Sequence, residues 1–589
     1  MFRGGIMSIF IKLGWYFKQE WKIYLVGLCG LLLTALLAII PPRIIGVLVD
    51  AIHNGKLSAK YLLIMLVVLT VVAFGQYGAR YMWRTAIWGE AAKLEKVLRN
   101  RLFWHYTQMD HEFFQHYRTG DLMAHATNDL SAIQRVAGGG ILQFADSMIT
   151  GGTTLIAMVS LIDWRLTIIA VLPIPLLAVM ARYLGSKIHI AFRDSQAAFS
   201  RLNNKAEESI TGIKVIKGLG QQQEDIKDFD DQVATTININ RRVNTLDSLF
   251  DPMTTMIISL SYVITIVYGG YLVTSNQITI GSLVSFVSYL AMMIWPMFAV
   301  GMLFNTLERG NASYDRVMDL LNQQSHVIDD PHGVDQKPKG EVDYDIEQFS
   351  YPDDKRSALK DIHFEVPAGK TIGLVGRVGS GKSTILRLIL RQFDNYQGTI
   401  KFGGIDIKHY KMDDLIPAIG YVPQDTFLFS DTIRENIRFA QPDSSQEKVE
   451  EAAQKSDLFN QIKDLPDGYE TEVGEEGISL SGGQRQRLSI ARALLINPEL
   501  LILDDALSAV DAETETQILE NLRAERQDKT TIISAHRLSS VMNADEILVI
   551  NDGKITERGT HDELMQRGGW YKEMFERQEL ETKVKGGNS

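Results

Sequence analysis

Six apolar runs constrain this 589-residue chain more than any other feature. They fall at about 23–47, 61–83, 140–162, 166–186, 254–275 and 281–304, each near the roughly 20 residues that a bilayer core demands. Backbone inside lipid must satisfy its own hydrogen bonds, so the runs fold as helices. Buried helices of a large soluble protein are the competing reading, and six runs in register count against it. Runs one and two, three and four, and five and six are joined by short connections: DAIHNGKLSAK, the turn at Asp163-Trp164-Arg165, and TSNQIT. The other two connections are long, polar and helix-patterned. The first carries Lys93, Lys96, Arg99, Arg101 and Arg118, which places the long connections and both termini in the cytoplasm, at the cell membrane. The opening MFRGGIMSIFIKLGWYFKQEWK has the amphipathic mixture of a helix lying on a membrane surface. A cleaved signal peptide does not fit, because the next apolar run is too long and meets Pro41, Pro42 and Arg43 without a small-residue cleavage site.

From about residue 341 strand-like and helix-like segments alternate, as in an α/β nucleotide-binding domain. The expected organisation is an all-α membrane domain of six helices over 1–325, a Pro/Gly/Asp-rich linker over 326–340, a cytoplasmic α/β P-loop domain over 341–580, and a disordered tail over 581–589. A single cysteine, Cys29, excludes an intrachain disulfide and a cysteine-based metal cluster. The net charge of −11 argues against nucleic acid as a main partner.

The stretch TIGLVGRVGSGKST (371–384) carries Gly376, Gly381, Lys382 and Ser383 at P-loop spacing between a strand and a helix. Its glycines let backbone N–H groups turn toward phosphates. The candidate ligand-binding residues are Gly376, Arg377, Val378, Gly379, Ser380, Gly381, Lys382, Ser383 and Thr384. Lys382 is expected to reach the β/γ-phosphates of ATP, and the Ser383 hydroxyl to ligate Mg²⁺. A Gly-rich turn that binds nothing rarely holds all four fixed positions.

Further motifs follow in order. Tyr351, ahead of the P-loop, is placed to stack on adenine, though a lone aromatic is more often core. Gln424, after a strand, suits both Mg²⁺ and the attacking water, though alone it would be an ordinary loop amide. Ser481, Gly482, Gly483 and Gln484 open a helix, giving a second phosphate-facing N-terminus. PELLILDD is an apolar strand ending in Asp504, suited to a Mg²⁺ shell, and Asp505, suited to positioning water. His536 follows another strand, where it can hydrogen-bond a γ-phosphate.

The LSGGQ run about a hundred residues after the P-loop, with the distal His536, resembles the ATPase domain of ABC transporters. The six-span half resembles the exporter (type IV) branch. The segments FFQHYRTGDLMAHATND (113–129) and NNKAEESITGIKVIKGLGQ (203–221) resemble those that dock on the ATPase domains. In that family one domain's P-loop faces another's LSGGQ across a shared ATP, so the resemblance implies a dimer of half-transporters. ATP then holds the closed state, and its hydrolysis releases the spans between inward-open and outward-open forms.

One departure stands out. The family usually has Glu after the Mg²⁺ aspartate, and this chain has Asp505. Losing one methylene, about 1.5 Å, draws the carboxylate back from its water and is expected to slow hydrolysis without harming binding. With LSGGQ intact, the pattern resembles one subunit of bacterial heterodimeric multidrug exporters; a homodimer with a slow Asp is the alternative.

Aromatic and Met residues such as Met292, Met293, Trp295, Met297, Phe298 and Met302 suit a loosely specified apolar cargo, but they also suit packing. Asp146 is a sharper candidate, because a carboxylate at membrane depth faces a cavity or a partner. It suits a cationic drug, an Arg or Lys of a neighbouring helix, or a place nearer the membrane surface. Drug export is the favoured function; a lipid or glycolipid flippase and a regulatory non-transporting ATPase share the architecture.

Overall fold

The computed structural model describes residues 8–586 except Asp353, Glu475, Glu476, Ile478 and Ser479. The first seven residues of the amphipathic N-terminal segment and the last three of the tail lie outside the described residues. The chain divides into two compact units: Met1–Thr107 with Thr119–Gln323, and Gln108–Arg118 with Gln324–Ser589.

The first unit holds 6 helices long and apolar enough to cross a membrane: Trp21–His53, Ala59–Thr107, Thr119–Leu161, Trp164–Thr211, Gln222–Thr274 and Ile280–Leu321. Every apolar run falls within one of them to within a residue. The helices go further than the runs. At about 1.5 Å per residue the helix Ala59–Thr107 is about 74 Å long, more than twice a hydrocarbon core of about 30 Å. Much of each long connection is therefore a continuation of a span helix, and most of DAIHNGKLSAK is helical too. Phe74, Leu172 and Met256 stand exposed on these helices, as side chains facing lipid or another apolar partner must.

Spans one and six pack through glycine. A Cβ on Gly281 would stand 1.9 Å from the Gly46 carbonyl oxygen, so no larger residue allows this approach. Asp50 accepts the Gly281 N–H at 2.7 Å and the Thr279 hydroxyl at 2.6 Å. Ser285 and Tyr289 donate to the carbonyls of Pro42 and Ile39 at 2.9 and 2.8 Å, beside the two prolines that interrupt the helical ladder.

The N-terminal segment corrects one expectation. Its helices Ser8–Lys12 and Gly14–Gln19 bury Ile9, Leu13 and Tyr16, which recur at helical spacing. Tyr16 donates to Glu90 at 2.9 Å, and Lys12 to Asn311 at 2.8 Å. The apolar stripe is covered by the protein's own second and sixth helices, where a membrane surface was expected.

Among the described residues the second unit contains ten strands: β1 (Val342–Phe349), β2 (Leu359–Val366), β3 (Thr371–Gly376), β4 (Gln397–Phe402), β5 (Ile405–Asp406), β6 (Ile419–Val422), β7 (Leu500–Asp504), β8 (Thr530–Ser534), β9 (Glu546–Asn551) and β10 (Lys554–Gly559). They form an antiparallel sheet, β2-β1-β4-β5, and a six-stranded sheet, β10-β9-β3-β8-β7-β6, parallel except for β10. β7 and β8 are buried along their whole lengths, as strands covered on both faces must be.

Two boundaries differ from those read in the sequence. The stretch 326–340 is fastened to this unit: Val334 bridges to Tyr410, and Arg391 donates to the Ile328 carbonyl at 2.8 Å. Residues Gln108–Arg118 also belong here. Asp110 accepts the His326 N–H at 2.5 Å, and the His111 ring stands edge-on to Phe393 at 5.7 Å. The segment 113–129 is thus divided between the units at Arg118. The tail, expected to be disordered from 581, begins as helix: the C-terminal helix spans Trp570–Gly586.

Candidate functional site

In the parallel sheet β8 lies between β3 and β7, so the P-loop, Asp504 and His536 all emerge at one carboxyl edge of neighbouring strands. That edge is where open α/β sheets bind ligands.

β3 ends at Gly376, whose φ is +154°; a Cβ there would stand 2.1 Å from the Ile550 carbonyl oxygen. Gly381, at φ +110°, precedes the P-loop helix Lys382–Ile389, and no side chain caps its first turn. Those N–H groups are left to an outside acceptor. Arg377 and Val378 are exposed at the loop's tip. The Ser380 hydroxyl is buried within the loop with no hydrogen-bond partner among the described residues. Lys382 donates to the carbonyls of Gly376 and Arg377 at 3.0 and 3.1 Å, arching over the loop it belongs to. Burial pulls its ammonium below the ordinary lysine range, and Asp504 and Asp505 oppose that shift.

Ser383 donates to Asp504 Oδ1 at 3.2 Å. This half-buried hydroxyl–carboxylate pair, the orphaned Ser380 and the uncapped helix start fit a magnesium-bound nucleotide: hard oxygen donors for the cation, and N–H groups for the phosphates. Thr384 hydrogen-bonds the Tyr351 hydroxyl at 2.9 Å, and the Tyr351 ring packs edge-on against Phe349 and Phe393. Gln424 lies exposed just beyond β6, at the same sheet edge.

Asp505 follows β7 with φ +49°, a left-handed conformation that Asp tolerates better than most residues. Its N–H donates to the Ser534 carbonyl at 2.8 Å, and its Oδ1 accepts the His536 N–H at 3.3 Å.

Ser481 caps the signature helix Gly482–Leu495 with its own side chain. It accepts the Gln484 N–H at 3.3 Å, while the Gln484 side chain accepts the Ser481 N–H at 2.9 Å. Among the described residues no hydrogen bond or ion pair joins 481–484 to the P-loop. Two residues escaped the sequence reading. Gln486 donates to Ser508 at 3.1 Å and accepts the Ala509 N–H at 2.9 Å, and Ser508 donates to the Asp505 carbonyl at 2.9 Å. These bonds tie the signature helix to the loop after Asp505; the signal in the sequence was a glutamine on the buried face of that helix.

In the membrane unit Asp146 lines a cavity of about 440 Å³ with Arg80, Trp83, Met292 and Trp295. It accepts the Thr150 hydroxyl at 2.6 Å and has no ion-pair partner among the described residues, so of the alternatives read in the sequence the pairing with an Arg or Lys of a neighbouring helix is not formed.

The phosphate cradle, its hydroxyl–carboxylate pair and six membrane-length helices define a membrane-embedded nucleoside triphosphatase. Residues 24–297 match the family model of the ABC transporter transmembrane region, and residues 359–508 match the ABC transporter family model. The chain is 43% identical over 582 residues to the probable multidrug resistance ABC transporter ATP-binding/permease protein YheI of Bacillus subtilis, covering 99% of this chain and 100% of that protein. It is 41% identical to the multidrug resistance-like ATP-binding protein MdlA of Escherichia coli, covering 98% of each. A solved bacterial Atm1-family ABC exporter with ATP bound superposes with a TM-score of 0.78 at 27% identity, over 95% of this chain and 99% of that one.

The chain belongs to the ABC transporter family and has the type IV exporter fold. It is a multi-pass membrane protein and an ATP-driven exporter that uses ATP with Mg²⁺. Half-transporters of this kind function as dimers, with a second ABC subunit or a second copy.

Proposed function

We propose that the chain is one subunit of a heterodimeric exporter of amphipathic drugs, and that the ATP site built on its own P-loop is hydrolytically weak. In this reading the backbone of 376–384 and Lys382 hold the phosphates, Ser383 and Asp504 hold Mg²⁺ with Gln424, and Tyr351 takes the adenine. His536 meets the γ-phosphate. Ser481, Gly482, Gly483 and Gln484 complete the site of the partner. When bound, Mg²⁺ held by Ser383, Asp504 and Gln424 would supply neutralisation of the phosphate charge. The ATPase domain and both termini are cytoplasmic, at the cell membrane.

Asp505 carries the reading. It is one methylene shorter than the usual Glu, and its carboxylate is engaged by the His536 N–H, which leaves little reach toward a water. The helix Ile213–Leu219, in the second docking segment, has no buried residue and exposes Val215 and Leu219. An apolar face of that kind suits cover by another subunit. The cavity holding Asp146 suits an organic cation, since its aromatic and Met lining accepts apolar bodies and, although Arg80 also lines it, the carboxylate makes no ion pair among the described residues.

The test compares ATP turnover of the purified chain alone with that of its complex with a half-transporter carrying Glu after its Mg²⁺ aspartate. The complex is expected to be about tenfold faster or more. Homodimers that hydrolyse ATP and move drugs at full rate would contradict the reading.

A further inference from the structure

The loop bearing His536 is held from two sides. On one, Asp505 Oδ1 accepts the His536 N–H at 3.3 Å. On the other, the side-chain amide of Gln578 uses both its ends. Its Nε2 donates to the His536 carbonyl at 2.9 Å, and its Oε1 accepts the Leu538 N–H at 2.9 Å. The N–H and the C=O of His536 are therefore both committed, which fixes the peptide from which the imidazole projects.

Gln578 is delivered by an anchored helix. Glu557 accepts the Trp570 and Tyr571 N–H groups at 2.6 and 3.3 Å, capping the C-terminal helix at its start. Tyr571 is fully buried, and Met574 and Phe575 pack on the same core. Gln578 continues this stripe at helical spacing. An exposed helix end would carry a solvated glutamine at this position; here its amide bridges two backbone groups of one loop.

We propose that Gln578 is a positioning residue for His536, through which the C-terminal helix sets how long ATP is held at this chain's site. The inference rests on the reading of His536 as a γ-phosphate contact. Its test is the dwell time of radiolabelled ATP on this chain in the assembled dimer, chased with unlabelled ATP. Initial ATP affinity and melting temperature are measured beside it. Gln578→Leu is expected to shorten the dwell about threefold to tenfold, with affinity within about twofold and melting unchanged. His536→Ala shortens it at least as much, and the double variant is no shorter than His536→Ala alone. Three results would overturn the proposal: a normal dwell in Gln578→Leu beside a short one in His536→Ala; an additive loss in the double variant; or a loss that tracks melting temperature. A normal dwell in His536→Ala itself removes the underlying reading, and the inference falls with it.

Discussion

The hydroxyl of Ser383 donates to Asp504 Oδ1 across 3.2 Å, although 121 residues separate the two. One lies at the start of the P-loop helix and the other at the end of β7. Two hard oxygen donors meeting at a buried sheet edge make a place for a divalent cation. Ser383→Ala is expected to raise the Mg²⁺ concentration needed for half-maximal photolabelling of this chain by azido-ATP about tenfold or more. Because the label reports this site alone, partner turnover does not mask it. An unchanged Mg²⁺ midpoint would remove Ser383 from the cation site.

The P-loop glycines differ in what they tolerate. A Cβ on Gly376 meets the Ile550 carbonyl at 2.1 Å, whereas one on Gly379 meets nothing within 4 Å and pays only for its φ of +79°. Gly376→Ala is therefore expected to destabilise the protein by about 3 kcal/mol or more, and Gly379→Ala by about 1–2 kcal/mol. Thermal unfolding of the full chain checks the order; the reverse order would mean that the close approach at Ile550 is not kept in solution.

Asp505→Glu restores the methylene that the family usually has. Single-turnover hydrolysis of ATP bound to this chain is expected to rise about tenfold, while steady-state turnover of the heterodimer changes by less than about twofold. No gain in the single-turnover rate would show that side-chain length is not what limits this site.

Asp146 faces a cavity that Arg80 also lines, and among the described residues no ion pair joins the two. Asp146→Asn keeps the shape and removes the charge, so export of cationic dyes is expected to fall about threefold or more while neutral dyes are unaffected. Equal rates for both dyes in the variant and the parent would exclude a role in cation selection.

The spans and the P-loop were legible because their signals are local: about 20 apolar residues, or four fixed positions in a row. The extents of the helices were not, since a polar continuation such as that of Ala59–Thr107 carries no lipid signal. Nor was the membership of Gln108–Arg118 in the ATPase unit, which depends on Asp110 and His111 meeting residues over two hundred positions away. Asp505 was noticed for its length. That its carboxylate engages the His536 N–H, and that Gln578 closes the other side of that loop, follows from the order β3-β8-β7 and from a helix docked after the last strand. No local pattern encodes such contacts. The N-terminal segment was misjudged for a related reason: an amphipathic stripe does not say whether lipid or protein covers it.

The asymmetry between this chain's two contributions is what most needs testing. In the proposed heterodimer its Ser481 would serve the partner's site, while its Asp505 would serve its own. Steady-state ATP turnover of the assembled transporter is measured with Ser481→Ala and, separately, with Asp505→Asn. Ser481→Ala should lower turnover about tenfold or more, and Asp505→Asn should leave it within about twofold of the parent. If Asp505→Asn abolished turnover as fully as Ser481→Ala, the two sites would be equivalent and the account of a weak site in an unequal pair would be wrong.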